Sequence, residues 1–193
     1  GVRSDMAAQG VPETDYVLTG LFVLYQDVLE KLFRSQIRTL GVVWLQLGLG
    51  FLLVFRSWRV ALIALVPNAV TTVVVLGAMG WTGIPLDIMT ITISSIAMGV
   101  ATDDAIHYTH RYLEEARGND PGEAVTRAHA SAGRAMLYTT VVVLIAFSQL
   151  AFSDFMPSVY FGLLTGLAMG VALLADLTLL PALLARFSGV KPV

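Results

Sequence analysis

Five long apolar runs, each closed by charged or turn-forming residues, decide what this chain folds into. They cover about 39–55, 60–81, 86–111, 135–152 and 158–186, and each approaches or exceeds the ~18–20 residues with which a helix crosses the hydrocarbon of a bilayer. The expected fold is an all-α membrane protein, a bundle of five transmembrane helices. Composition agrees: charged residues are 13% of the chain and hydrophobic ones 56%, against roughly 25% charged in a soluble domain. A net charge of −2 with no basic block argues against a nucleic-acid partner. The absence of cysteine excludes disulfides and thiolate metal sites. The chain opens on Gly1 with neither an initiator Met nor a signal-type segment, which suggests a piece of a longer polypeptide.

Ahead of the first run, residues 1–20 are polar and punctuated by Gly10, Pro12 and Gly20, with Tyr16–Thr19 readable as a short strand. Leu21, Tyr25, Val28, Leu29, Leu32 and Phe33 then recur at helical spacing, with Asp27, Glu30, Lys31 and Arg34 between them. That pattern predicts an amphipathic lead-in helix, either at the membrane surface or packed on a soluble domain. A polar segment, 112–134, separates the third and fourth runs, and Asp120-Pro121 inside it has the form of a helix start. The turns at Thr82–Asp87 and Ser153–Pro157 are short, so the helices they join should pack antiparallel. Residues 188–193 form a tail.

Loop charge gives orientation. Arg56, Arg59, Arg111, Arg117, Arg127, Arg134, Arg186 and Lys191 fall on one side, and the short turns of the other side carry no Lys or Arg. The first side is expected in the cytoplasm, which puts residues 1–38 outside it and the C-terminus inside. Lys31, Arg34 and Arg38 run against this rule, as they would in a helix belonging to an exported domain. Trp58 and Trp81 fall at opposite edges of the second run, where an aromatic belt sits.

Within the third run stand two adjacent acids, Asp103 and Asp104, followed by His107 and His110. A carboxylate at the hydrocarbon centre costs about 2.5–3.5 kcal/mol on insertion scales, so the pair points to a proton or ion site inside a bundle. At ~1.5 Å per residue, Asp104 lies about 10 Å in from Arg111 and Thr140 about 9 Å in from Arg134. Asn68 and Asp176, measured from Arg59 and Arg186, lie roughly 14–15 Å deep. Polar groups on four helices thus share one level. Gly99, Asp103 and His107 form one stripe, and Asp104 shares a face with His107 and Tyr108. Two carboxyls this close do not easily both ionise, which suits proton uptake and release; a structural pair hydrogen-bonded to Thr and Asn is the alternative. Asp176 reads either as a second relay group or as a hydrogen-bonder between helices, His107 as a partner of the acids, and His110 as solvated. Thr140 is expected to hydrogen-bond the pair. Asp103, Asp104, His107 and His110 also have spacing that a metal site would use, the basis of a remote metalloenzyme alternative. Gly162, Gly166 and Gly170 form a small-residue stripe for close helix packing, and Gly99, Gly48, Gly77 and Gly80 invite the same reading.

These features together resemble the resistance–nodulation–division superfamily, and within it the MMPL-type and sterol-sensing-domain-like exporters of hydrophobic molecules. The resemblance is carried by Gly99-x-x-x-Asp103-Asp104, by Gly83-Ile-Pro85-Leu86-Asp87 before it, by Phe55-Arg-Ser57-Trp58, and by Asp176…Leu-Leu-Pro181-Ala-Leu-Leu. It implies that the five helices are the second to sixth of one half, the C-terminal half, and that residues 1–38 are the tail of an exported porter domain. It also implies that Asp103 and Asp104 carry the protons that drive export across the cell membrane. Protons would be the coupling ion and no other cofactor would be needed. The partners implied are the bilayer, the companion half with its porter domain, a hydrophobic or lipid-like substrate, and further copies of the chain in a homo-oligomer. The competing class is a non-transporting lipid sensor or scaffold of the sterol-sensing kind, which would use the same helices.

Overall fold

The computed structural model describes residues 21–84 and 88–188. Residues 1–20 with the Tyr16–Thr19 strand, residues 85–87, and the tail from Gly189 lie outside that description, as do the side chains of 88–97. The described residues are helical, without strands. Five helices follow one another: α1 (Leu21–Phe55), α2 (Trp58–Thr82), α3 (Ile88–Glu115), α4 (Pro121–Phe152) and α5 (Met156–Phe187). The fold is an all-α membrane bundle. Cα packing divides the chain into residues 1–39 and residues 40–193.

In the first unit, the described part is the start of α1. Among its described side chains Arg34 bridges Glu30 at 2.8 Å, and the Thr39 hydroxyl donates to the Ser35 carbonyl at 2.9 Å; the side chains of 21–27, 29, 32, 33, 36, 37 and 40 lie outside the description.

The second unit is organised on α5, which packs against α2, α3 and α4. Among the described residues, α2, α4 and α5 are long and apolar enough to span a bilayer; Gly41–Phe55 of α1 is a shorter apolar stretch. At 28 residues α3 has the length, but acids and basic residues interrupt its apolar character. Lipid tails are as apolar as leucine, so burial alone does not draw such helices together; close packing of small residues does. The core follows that rule. Ala61, Ala64, Ala105, Ala116, Ala124 and Ala128 pack with Phe51, Tyr108, Tyr112, Met136, Leu180 and Leu184. A second cluster joins Val75 and Met79 of α2 to Leu164 and Ala168 of α5. The outer faces carry exposed apolar side chains, among them Leu62, Val73, Val142, Ile145, Leu163 and Leu174.

Local sequence explains the ends. Gly83 stops α2 in the left-handed region (φ 68°), and its N–H donates to the Met79 carbonyl, a glycine-terminated helix end. Arg56 turns the chain from α1 into α2 at φ 51°, a region that disfavours a side chain. Inside α2, Pro67 removes one backbone donor; Thr71 and Thr72 turn their hydroxyls back onto the Pro67 and Asn68 carbonyls at 2.9 and 2.8 Å. The polar segment after α3 is mostly helix. Only residues 116–120 form a turn, and α4 begins at Pro121 behind Asp120, whose carbonyl accepts from the Ala124 N–H at 2.9 Å. One wider turn, a π turn over His129–Gly133, interrupts α4 before it continues to Phe152. α3 meets α4 chiefly through residues 121–133, and beyond them the two helices diverge.

Candidate functional site

The divergence of α3 from α4 opens a cleft of about 550 Å³, and Asp103 and Asp104 both line it. His107 and Arg111 continue the α3 wall, and Ser131 and Thr139 lie on the α4 wall. Asp103 is exposed, its side chain 74% accessible, and one carboxylate oxygen lies 3.6 Å from Nε2 of His107, one turn along. Asp104, rotated ~100° around the helix, is half-buried. The two acids therefore differ in surroundings: one faces the cleft and the other leads from it toward the bundle interior.

In that interior, α5 presents Asp176 with no exposed surface, and neither carboxylate oxygen has a hydrogen-bond partner. α3, which carries Asp104, packs against α5, which carries Asp176. α2 contributes Asn68, 1% exposed, with its amide oxygen and nitrogen both unpartnered. Thr140, Thr165 and Thr109 are buried with unpartnered hydroxyls. Native interiors leave few such groups unsatisfied, because each costs about 1–3 kcal/mol. Four helices, α2 to α5, thus contribute buried polar side chains without partners.

The sequence expectations meet this geometry unevenly. Asp103, Asp104 and His107 come together at the cleft, and Asn68, Thr140 and Asp176 face inward rather than toward lipid. The hydrogen bond from Thr140 to the acids is not formed. Ser131, Ala135 and Thr139 make the i, i+4, i+8 stripe that lines the cleft, and Thr140 is turned ~100° from that stripe into the core. Equal depth along two helices did not bring equal facing. The glycine stripe is similarly unequal. A Cβ on Gly162 would lie 2.8 Å from both Leu150 Cβ and the Phe147 carbonyl oxygen, and one on Gly166 would lie 3.6 Å from Leu144. Gly170, Gly99, Gly77 and Gly80 have nothing within 4 Å of that position, and Gly48 has only Leu65, at 3.8 Å. The four residues of the metal alternative do not converge: Asp103 pairs with His107, while His110, exposed, pairs with Glu114 at 3.6 Å. Among the described residues no group of three or more His, Asp or Glu is arranged to hold a metal.

At the end of the cleft, one ion pair, Arg127–Glu115, and one hydrogen bond, Arg111–Ser131, tie the end of α3 to the start of α4. Arg111 pairs with Glu114 and Glu115 and donates to the Ser131 hydroxyl at 3.2 Å, while Arg127 pairs with Glu123 at 2.7 Å and reaches Glu115 at 3.8 Å. The hydrogen bond and charge of Glu123 raise the Arg127 pKa further. These are surface pairs and contribute little individually.

Comparison with known proteins places this architecture. The MMPL family model matches residues 4–193. The chain belongs to the MMPL family. Among its relatives, a Methanocaldococcus jannaschii protein named as a membrane protein, MJ1562, is 31% identical over 174 residues, covering 90% of this chain and 45% of its own length. A Streptomyces coelicolor protein also named as a membrane protein, SCO6666, is 40% identical over 100 residues, covering 50% of this chain and 14% of its own. A Mycobacterium leprae protein named as a probable transport protein, MmpL11, is 32% identical over 142 residues, covering 70% of this chain and 14% of its own. The chain therefore spans less than half the length of these relatives. The family and the named relatives make this MMPL chain an integral membrane protein.

Two residues of the site escaped sequence reasoning. His129 sits in the polar segment after the third run, yet its ring lies between α3 and α5. Gly133, four residues on, is buried, and a Cβ there would lie 3.2 Å from Leu177 Cδ2. The available signal was Pro181, which deprives a carbonyl one turn earlier of its donor.

Proposed function

We propose that this chain is part of a proton-driven exporter of hydrophobic, lipid-like molecules, with Asp103 and Asp104 as its proton relay and Asp176 as the next acceptor inward. The observation that carries the reading is the cleft: Asp103 and Asp104 line it, and Asp176 is buried on α5, the helix against which α3 packs. A proton passed from the cleft by way of Asp103 onto the half-buried Asp104 removes charge from the edge of the bundle interior. The protonated and ionised forms then favour different packings of α3 against α5, as a coupled motion requires. His107, beside Asp103, exchanges protons with the cleft.

In this reading the basic residues Arg56, Arg59, Arg111, Arg117, Arg127, Arg134 and Arg186 face the cytoplasm, and residues 1–38 belong to the exported side. The exposed apolar face of α4, only 11% buried over its most hydrophobic stretch, is where lipid and the companion half would lie. Substrate would pass through the exported region, outside these helices, while these helices convert the proton gradient into movement.

The test is transport by the complete protein in proteoliposomes under an imposed pH gradient, with proton flux followed by a trapped pH dye. Asp104→Asn is expected to lower flux at least 100-fold and Asp103→Asn at least 10-fold. Gradient-dependent flux at the wild-type rate in both variants would refute the relay. Lipid-dependent partner binding without flux would favour the sensor reading instead.

A further inference from the structure

Pro181 lies one turn beyond Leu177 on α5 and has no N–H, so the Leu177 carbonyl is denied its ordinary i+4 donor. Nε2 of His129, from α4, lies 3.0 Å from that oxygen. Nδ1 lies 3.0 Å from the Val125 carbonyl of its own helix and 2.7 Å from the Tyr108 hydroxyl; the Val125 carbonyl already accepts from the His129 backbone N–H, so in the neutral ring Nε2 donates to Leu177 and Nδ1 accepts from the hydroxyl, the one neighbour of Nδ1 that can donate. Tyr108 of α3 supplies the matching donor: its hydroxyl lies 2.7 Å from Nδ1, and the two rings meet edge to face at 5.4 Å and 88°. Tyr108 is fully buried, so its hydroxyl has no water to turn to.

The π turn makes this possible. Over His129–Gly133 the Arg134 N–H reaches back to the His129 carbonyl. The extra residue per turn brings His129 inward and sets the glycine at 133 under Leu177. The clamp also lies next to both buried acids. Tyr108 stands one turn beyond Asp104 on α3, and Leu177 directly follows Asp176 on α5.

We propose that His129 is a positioning residue: through Tyr108 and the Leu177 carbonyl it holds α3 and α5 at the register in which Asp104 and Asp176 exchange a proton. This inference rests on the relay reading above and adds to it the element that sets the distance between the two acids. Without the clamp, α3 slides along α5 and the transfer slows.

The experiment uses the complete protein in proteoliposomes, with dye-reported proton flux as one arm. Hydrogen exchange of the 121–135 peptide and the thermal midpoint form a second arm. His129→Leu and Tyr108→Phe are each expected to lower flux at least 10-fold, and the double variant to be no worse than His129→Leu. His129→Gln, whose carboxamide offers an acceptor and a donor one atom apart, is expected to keep at least a third of the flux. Pro181→Ala, which restores an N–H competing for the Leu177 carbonyl, is expected to speed exchange in the π turn. The proposal is overturned if His129→Leu transports at the wild-type rate. It is equally overturned if the two single losses multiply, or if His129→Gln is as impaired as His129→Leu. Should His129→Leu fail to fold, Tyr108→Phe and His129→Gln decide. If Asp104→Asn keeps its flux while Tyr108→Phe loses it, the relay assignment falls and the clamp stands. If no variant or wild type moves protons, exchange decides: a π turn equally protected in wild type and Tyr108→Phe removes the clamp.

Discussion

Adding one methyl group to α5 at three successive positions should give two different signs of stability change. At Gly162 the new Cβ would sit 2.8 Å from Leu150 Cβ and 2.8 Å from the Phe147 carbonyl oxygen. Ordinary carbon contacts lie at ~3.5–4.0 Å, so α4 and α5 would have to part by roughly 0.7–1 Å. Neither obstacle is the end of a flexible chain: one is a backbone oxygen and the other a Cβ. Overpacking of this kind costs about 1–3 kcal/mol, and Ala returns about 0.8–1 kcal/mol over Gly through helix propensity. The net expectation for Gly162→Ala is a loss of up to about 2 kcal/mol, with loosening of the Phe147–Phe161 ring pair, whose centroids lie 5.8 Å apart. At Gly166 the nearest atom is 3.6 Å away, an ordinary contact, and at Gly170 nothing lies within 4 Å. Gly166→Ala and Gly170→Ala should therefore gain up to about 1 kcal/mol each. Unfolding of the complete protein by SDS titration in mixed micelles measures all three. A Gly162→Ala protein as stable as Gly170→Ala would refute the contact argument.

Two further predictions concern buried and strained residues. Asp176→Val should raise stability by about 1–3 kcal/mol, because it removes a buried carboxyl without partners, while abolishing proton flux. A fall in thermal stability would mean that this carboxyl is satisfied in the folded protein. Arg56→Gly should stabilise by about 0.5–1 kcal/mol, since a left-handed backbone costs a side chain about 1–2 kcal/mol and glycine gives back part of that as entropy. Denaturant titration showing no gain would mean that the Arg56 side chain contributes interactions that offset its backbone.

The bundle was legible in the chain because its signals are local. An apolar run of about twenty residues is read without knowing its neighbours, and so are a glycine at a helix end and an acid pair stranded in such a run. Depth along a helix is equally local, which is why Asn68, Thr140 and Asp176 were found as inward-facing polar groups. Asp120-Pro121 marked the start of α4, but that the helix runs from there through the π turn into the fourth apolar run was not legible; packing of Ala124 and Ala128 against the core joins the two.

Sequence alone, then, determined the membrane class, the succession of helices and the level at which polar groups gather, because each depends on one segment and the solvent around it. Only the tertiary structure decided which of Thr139 and Thr140 sees the acids, which glycine bears a close contact, and that His129 joins α3 to α5. Those outcomes turn on ~100° of rotation per residue and on a π turn that shifts register. Both are set by how several helices fit together at once, and no single stretch of chain records that fit.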